Sequence, residues 1–189
     1  MYVIGIDPGL TGAIALYDTE KKQVMFVRDM PIMPVIVNKK KRNTFDITGI
    51  YRMFADYAAC FPGVTAVVER QQAGAAGKQN QGKQKKFFSG SLAVAAKFYG
   101  YGILLTCLTV LGIPFIEVMP AVWKNRVMPE LEDKSDKEAV RALAIKRFWN
   151  QEHQLKRVKD HNRAEAALIA KYEVKDDNNK RPKPRHNAG

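Results

Sequence analysis

Apolar residues in the first third of the chain fall in short unbroken runs between turn residues. "YVIGID", "GAIALYD" and "KQVMFVRDM" are three such runs, the first two joined by a Pro-Gly turn. They predict three strands of an antiparallel meander. "PIMPVIVNKKKRNTFD" breaks the pattern with two prolines and a basic cluster, Lys39, Lys40, Lys41 and Arg42, and is expected to be a loop. Helical spacing begins at Ile50, Phe54 and Tyr57, after Asp46 or Thr48 as the capping residue, and stops near "CFPG". "VTAVVER" is a fourth strand, apolar enough to be covered on both faces, and it ends at Glu69. "QQAGAAGKQNQGKQKK" is rich in Gly, Gln and Lys and reads as a flexible loop.

A long helix is predicted from Phe87 to Leu111, then a fifth strand in "IPFIEVMP" and a short segment "AVWKNRV". Ser135 or Asp136 opens the helix "DKEAVRALAIKRFW", and "NRAEAALIAKYE" is the last helix. From Val174 the chain is polar and basic and is expected to be a disordered tail, leaving 1–173 as one domain. The order βββ-α-β-α-β-α-α predicts an α/β protein with a five-stranded mixed sheet, three strands antiparallel and then parallel ones, flanked by helices. This is the order of the ribonuclease H-like fold, which by itself assigns no activity.

Composition sharpens this. With 189 residues and 46% hydrophobic content, the chain suits one domain with a real core. A net charge of +12 points to a polyanionic partner, nucleic acid before an anionic membrane surface. The apolar stretch Leu92–Leu111 is interrupted by Lys97 and reads as a buried helix, not a membrane span. Cys60 and Cys107 are far apart, lack zinc spacing and are expected as buried reduced thiols. No charged leader precedes an apolar stretch, so no signal or transit peptide is expected and the location is read as cytoplasmic, the host cytoplasm if the chain is phage-encoded.

The candidate chemistry is acidic. Asp7 and Glu69 end strands that otherwise favour burial, where a carboxylate is costly without compensation. If those strands are neighbours, the two acids meet, and like charges raise each other's pKa unless a cation lies between them. Mg²⁺ suits such oxygen ligands. A third site is "KDHNRAEAALIA", where Asp160, His161, Asn162 and Glu165 crowd a helix start. His161 and Asn162 share the face of Glu165, while Asp160 joins it only if the helix begins after it. Asn162 as N-cap with Glu165 three residues on also fits a capping box. Four acids from three regions would hold two Mg²⁺ ions. One would activate water, and the other would stabilise the leaving 3′ oxygen of a phosphodiester. The glycines after Asp7 are expected to let a DNA backbone approach.

The blocks "IGIDPGLTGAIAL", "VVERQ", "FFSGSLAVAA", "VMPAVWK", "SDKEAVRALA" and "DHNRAEAALIA" occur in the order used by RuvC-type Holliday-junction resolvases. Over about residues 2–172 the chain resembles that family, and most closely its plant plastid branch. The resemblance implies a metal-dependent endonuclease that makes paired symmetric nicks in a four-way DNA junction, using two Mg²⁺ ions with Mn²⁺ as a substitute. Asp7 and Glu69 match the family's first two acids. Asp160 and Glu165 match the C-terminal pair of the plastid branch, whereas the closer spacing of bacterial members falls on Asn162. Lys124 matches a lysine near the active site, and Lys137 a basic residue of the "DKE" block.

DNA contacts are expected from Lys39, Lys40, Lys41 and Arg42, and from Lys78, Lys83, Gln84, Lys85, Lys86 and Phe87 of the second loop. Gln72, Gln79, Gln81 and Phe88 are further candidates for base contact or stacking. Two symmetric cuts imply a homodimer, with the long helix as its interface. No nucleotide cofactor is expected, since the chain is short for an actin-like ATPase and shows no second phosphate loop. The competing readings are a ribonuclease H-like nuclease for other branched DNA or hybrids, and a catalytically weak junction-binding protein.

Overall fold

The structure, a computed structural model, describes residues 1–72 and 87–172, with side chains from residue 94 onward in the second stretch. Three strands open the chain: β1 (Tyr2–Asp7), β2 (Ala13–Asp18) and β3 (Gln23–Asp29). A hairpin, β4 (Ile32–Val37) and β5 (Lys40–Phe45), precedes helix α1 (Ile47–Cys60). Then come β6 (Thr65–Glu69), α2 (Phe87–Val110), β7 (Phe115–Val118) and α3 (Pro120–Val127). The C-terminal part holds α4 (Lys137–Arg147), the single turn α5 (Glu152–Leu155) and α6 (His161–Ala170).

The main sheet has five strands in the order β3-β2-β1-β6-β7. β1 pairs antiparallel with β2 and parallel with β6, and β6 pairs parallel with β7. Both faces are covered. Ile4, Ile6, Ile14, Leu16, Ala66 and Val68 pack with residues of α1 and α2 in one core. Val3, Ala13, Ala15, Tyr17 and Val67 pack with residues of α3, α4 and α6 in the other. Neighbouring strand residues point to opposite faces, so two covered faces make the strands read as continuous apolar runs.

Two expected caps are present. The Asp46 side chain accepts a 2.9 Å hydrogen bond from Gly49 N, and Asp136 accepts from Glu138 N and Ala139 N. α6 departs from expectation, because it begins at His161 and Asn162 is therefore not its N-cap. The turn just before it carries the reciprocal contact instead, with Arg157 N donating 3.0 Å to Asp160 Oδ2. A further correction concerns the basic segment, which is the β4–β5 hairpin and not a loop. Asn38 and Lys39 at its tip both have positive φ, 51° and 61°. That backbone gives the tight two-residue turn whose twist matches paired strands. Cys60 is exposed, contrary to expectation, because it ends α1, whereas Cys107 is buried and both thiols are free.

Among the described residues no helix is long and apolar enough to cross a membrane. The tail predicted from Val174 lies outside the described residues.

Candidate active site

Parallel pairing sets the first part of the site. Ile6 sits opposite Val68, so one residue further on both strands end in an acid, Asp7 on β1 and Glu69 on β6. The third acid comes from α6, which lies directly on β1 at Gly5. A Cβ at Gly5 would stand 2.2 Å from Ala166 O and 2.4 Å from Ala170 N. Only the missing side chain allows this approach, and it carries Glu165 to the end of the sheet. Two carboxylates act on Asp7, those of Glu165 and Glu69.

α3 supplies the remaining polar groups. Trp123 is fully buried, and its Nε1–H donates a 2.7 Å hydrogen bond to Glu69 Oε2. The next residue, Lys124, places its Nζ 2.6 Å from Glu165 Oε1. That ammonium also lies 5.3 Å from the centre of the Trp123 ring.

The electrostatics follow from this crowding. Burial, then the Glu165 and Glu69 carboxylates, push the Asp7 pKa up to about 8 against the pull of Lys124 and Lys97. Burial also raises Glu69, opposed by the Trp123 hydrogen bond, with Glu165 raising it and Lys124 and Lys97 lowering it. The carboxylates of Asp7 and Glu69, with that of Glu165 beside them, are oxygen donors of the kind a hard divalent cation takes. As the side chains stand, among the described residues no three His, Cys, Asp or Glu close around one point as metal ligands. Trp123 and Lys124 instead occupy one oxygen each of Glu69 and Glu165.

Asp160 is not brought into this set, which corrects its expected place beside Glu165. It precedes α6, as joining Glu165 required, but only 2% of its surface is exposed and its carboxylate is engaged elsewhere. Arg157 holds it through Nε and Nη2 at 2.8–3.1 Å, and Arg163 Nε lies 4.0 Å away. Arg163 in turn makes a two-pronged contact with Asp29 of β3, at 2.5 and 2.6 Å. Asp160 therefore belongs to a clamp that ties the start of α6 to β3.

Neighbouring candidates take other positions. The Asn162 Nδ2 donates a 2.5 Å hydrogen bond to Thr11 O in the turn after β1. His161 faces Lys137 Nζ at 3.2 Å, and Lys137 is the first residue of α4. Gly12 is close-packed against the chain itself, since a Cβ there would lie 2.0 Å from Asp7 O. Its missing side chain thus serves the turn, whereas a Cβ at Gly9 would meet nothing nearer than 3.7 Å.

Of the expected DNA contacts, Lys39, Lys40, Lys41 and Arg42 are exposed on the hairpin. Gln72 Nε2 approaches Met119 Sδ at 3.2 Å. Lys78, Gln79, Gln81, Lys83, Gln84, Lys85 and Lys86 lie outside the described residues, as do the side chains of Phe87 and Phe88. Sequence reasoning missed Trp123 as a partner of Glu69. The one available signal was a Trp directly preceding the candidate Lys124.

A five-stranded mixed sheet in this order, flanked by helices, with acids at the shared end of its central parallel strands, is the ribonuclease H-like fold. Among solved structures the chain is similar to RuvC of Thermus thermophilus in complex with a Holliday junction substrate. The match has a TM-score of 0.52 at 17% identity and covers 92% of this chain and 93% of that one. A second Thermus thermophilus RuvC structure matches at TM-score 0.49 and 18% identity over the same shares. No family model and no curated protein sequence matches the chain.

Proposed function

We propose that this chain is a metal-dependent endonuclease that resolves four-way DNA junctions by paired nicks. The observation that carries the reading is that Asp7 and Glu69 end neighbouring parallel strands, β1 and β6, with the Glu165 carboxylate of α6 near enough to act on both. It is supported by the fold shared with a RuvC whose solved structure contains a Holliday junction substrate, and by the net charge of +12. The motif blocks extend the reading to the plastid branch of that family.

Asp7, Glu69 and Glu165 would hold the cation, Mg²⁺ first and Mn²⁺ as a substitute. Bound there, divalent ions supply a nucleophilic water and stabilise charge on the leaving oxygen. Trp123 fixes the direction of Glu69 through its Nε1–H. Lys124 balances Glu165 and would offset the charge of a scissile phosphate. The product of in-line attack by water is a 5′ phosphate and a free 3′ hydroxyl. The hairpin lysines and Arg42 would hold DNA arms by phosphate contacts. A homodimer, with α2 at its interface, would place two such centres on one junction.

The test is cleavage of a labelled synthetic four-way junction, with cut positions mapped, with and without Mg²⁺. Symmetric Mg²⁺-dependent nicks in opposing strands are expected. Preferential cutting of an RNA–DNA hybrid would overturn the substrate assignment. Asn162, at the position of the closer bacterial acid, motivates the second reading of a weakly catalytic junction binder. A complex formed in Ca²⁺ that yields no product on Mg²⁺ addition would favour it.

A further inference from the structure

α2 connects the end of β6 to the start of the parallel strand β7, so it runs back along the sheet. Its N-terminal half therefore lies at the end where Asp7 and Glu69 stand. Two contacts fix which face of α2 looks at the sheet. A Cβ at Gly100 would stand 2.0 Å from the Phe45 ring, so the backbone of α2 is pressed against that side chain. The Tyr101 hydroxyl donates to the Glu117 carboxylate of β7 and reaches the backbone of Gln71, two residues past Glu69. Leu104 and Leu108 continue the same buried stripe.

Lys97 is four residues before Tyr101 and so lies on this stripe, one turn nearer the N-terminus. One turn advances about 5.4 Å along the helix. The Tyr101 hydroxyl touches Glu117, which pairs with Val68, and the backbone of Gln71, so one turn further brings Lys97 toward the end of β6 where the acids stand. Its charge acts on both Asp7 and Glu69. Lys97 is exposed, and among the described residues it enters no ion pair within 4.0 Å. Lys124, by contrast, is bound to Glu165. α2 covers one face of the sheet and α3 and α6 the other. The acidic end is thus bordered by a lysine from each layer, one engaged and one without an ion pair among the described residues.

We propose that Lys97 binds a phosphate of the DNA strand to be cut, on the α2 side of the acids, opposite Lys124. The proposal rests on the nuclease reading for the identity of its ligand. A phosphodiester seated at three carboxylates needs positive charge on its flanks. A lysine ammonium supplies it as a point charge with three donors.

The test uses full-chain K97A, K97Q and K97R, with K21A as control. Lys21 is exposed in the β2–β3 turn, at the opposite end of the sheet from Asp7. Binding of a synthetic four-way junction is titrated with salt in Ca²⁺, and single-turnover cleavage is timed in Mg²⁺ at saturating DNA. K97A and K97Q should lower the slope of log K against log salt by about one unit. They should also slow cleavage about tenfold or more, a loss of roughly 1.4 kcal/mol of transition-state stabilisation. K97R should retain most of both, and K21A should match wild type. An unchanged slope in K97A overturns the proposal whatever the cleavage shows. A lowered slope with a wild-type rate overturns it too, because that phosphate would lie away from the cut. If the wild type makes no cut in Mg²⁺, the nuclease reading fails instead, and the slope still reports whether Lys97 holds a DNA phosphate.

Discussion

The Trp123 indole donates a 2.7 Å hydrogen bond to Glu69 Oε2, so a fully buried side chain of α3 sets the direction of a carboxylate at the tip of β6. Core packing and site geometry meet in that one contact. The W123F substitution keeps most of the apolar contact and deletes the donor. Stability should fall by about 1–2 kcal/mol, measured by denaturant unfolding. Junction cleavage should fall roughly tenfold to a hundredfold through misplacement of Glu69. In the wild type that hydrogen bond holds the Glu69 pKa down, so its loss should raise the pKa and move the acidic limb of the pH–rate profile to higher pH. An unshifted limb would show that the indole acts by packing alone.

Asp7 makes metal-free stability depend on pH. Its folded pKa of about 8 lies above the ordinary 3.8, so between those values the folded protein binds more protons than the unfolded chain. Stability should therefore fall as pH rises from about 4 to about 8. Glu69, also raised, acts in the same direction. In EDTA, D7N should be more stable than wild type at pH 8.5 by on the order of 1–3 kcal/mol, with a smaller difference at pH 5. Melting curves at the two pH values check this. Added Mg²⁺ should stabilise wild type more than D7N, while D7N abolishes cleavage and still binds junction DNA.

Asp160 and Glu165 separate a clamp from a proposed metal ligand. D160N should lower stability by on the order of 1–3 kcal/mol, discounted because Arg157 is half exposed. Mg²⁺-dependent cleavage should stay close to the wild-type rate. Burial opposes ionisation of Asp160, but the Arg157 side chain and backbone N–H, with Arg163, hold its pKa below the usual 3.8. The stability difference should therefore be complete above about pH 4 and close as the pH falls further. E165Q should do the opposite, removing cleavage at little cost in folding. Loss of cleavage in folded D160N would return Asp160 to the metal site.

Gly5 tests how Glu165 is delivered. In G5A the new methyl group meets backbone atoms of α6 at 2.2 and 2.4 Å. Backbone cannot rotate away as a side chain can, so α6 must shift. Destabilisation of about 2–3 kcal/mol is expected, with cleavage reduced beyond what the lost folded fraction explains. Thermal melting and single-turnover cleavage on the same preparation measure both.

The five-strand sheet, the caps to within two candidates each (Asp46 or Thr48, Ser135 or Asp136), and the strand-end positions of Asp7 and Glu69 were legible in the chain itself. These features depend on neighbours in sequence. Strand runs bounded by turns, a side chain capping amides two or three residues on, and a carboxylate where apolar residues stop are all local. The hairpin was not legible, because its turn has Asn38-Lys39 in place of the usual Asn-Gly and its strand contains Pro34. Pro34 is tolerated since β4 is paired on one side only, by β5.

Local sequence could place Asp160 and Glu165 near one helix start but could not say which carboxylate turns toward β1. Arg157, Arg163 and Asp29 decide that for Asp160, and the Gly5 contact decides it for Glu165. Trp123 on Glu69 and Lys97 over the sheet end likewise join residues separated by whole elements. The chain alone determines the strands of the main sheet and its longer helices, because hydrophobic period and capping act over a few residues. The direction of each charged side chain was left to the tertiary structure, because the partners that balance its charge are brought in from distant segments only when the layers pack.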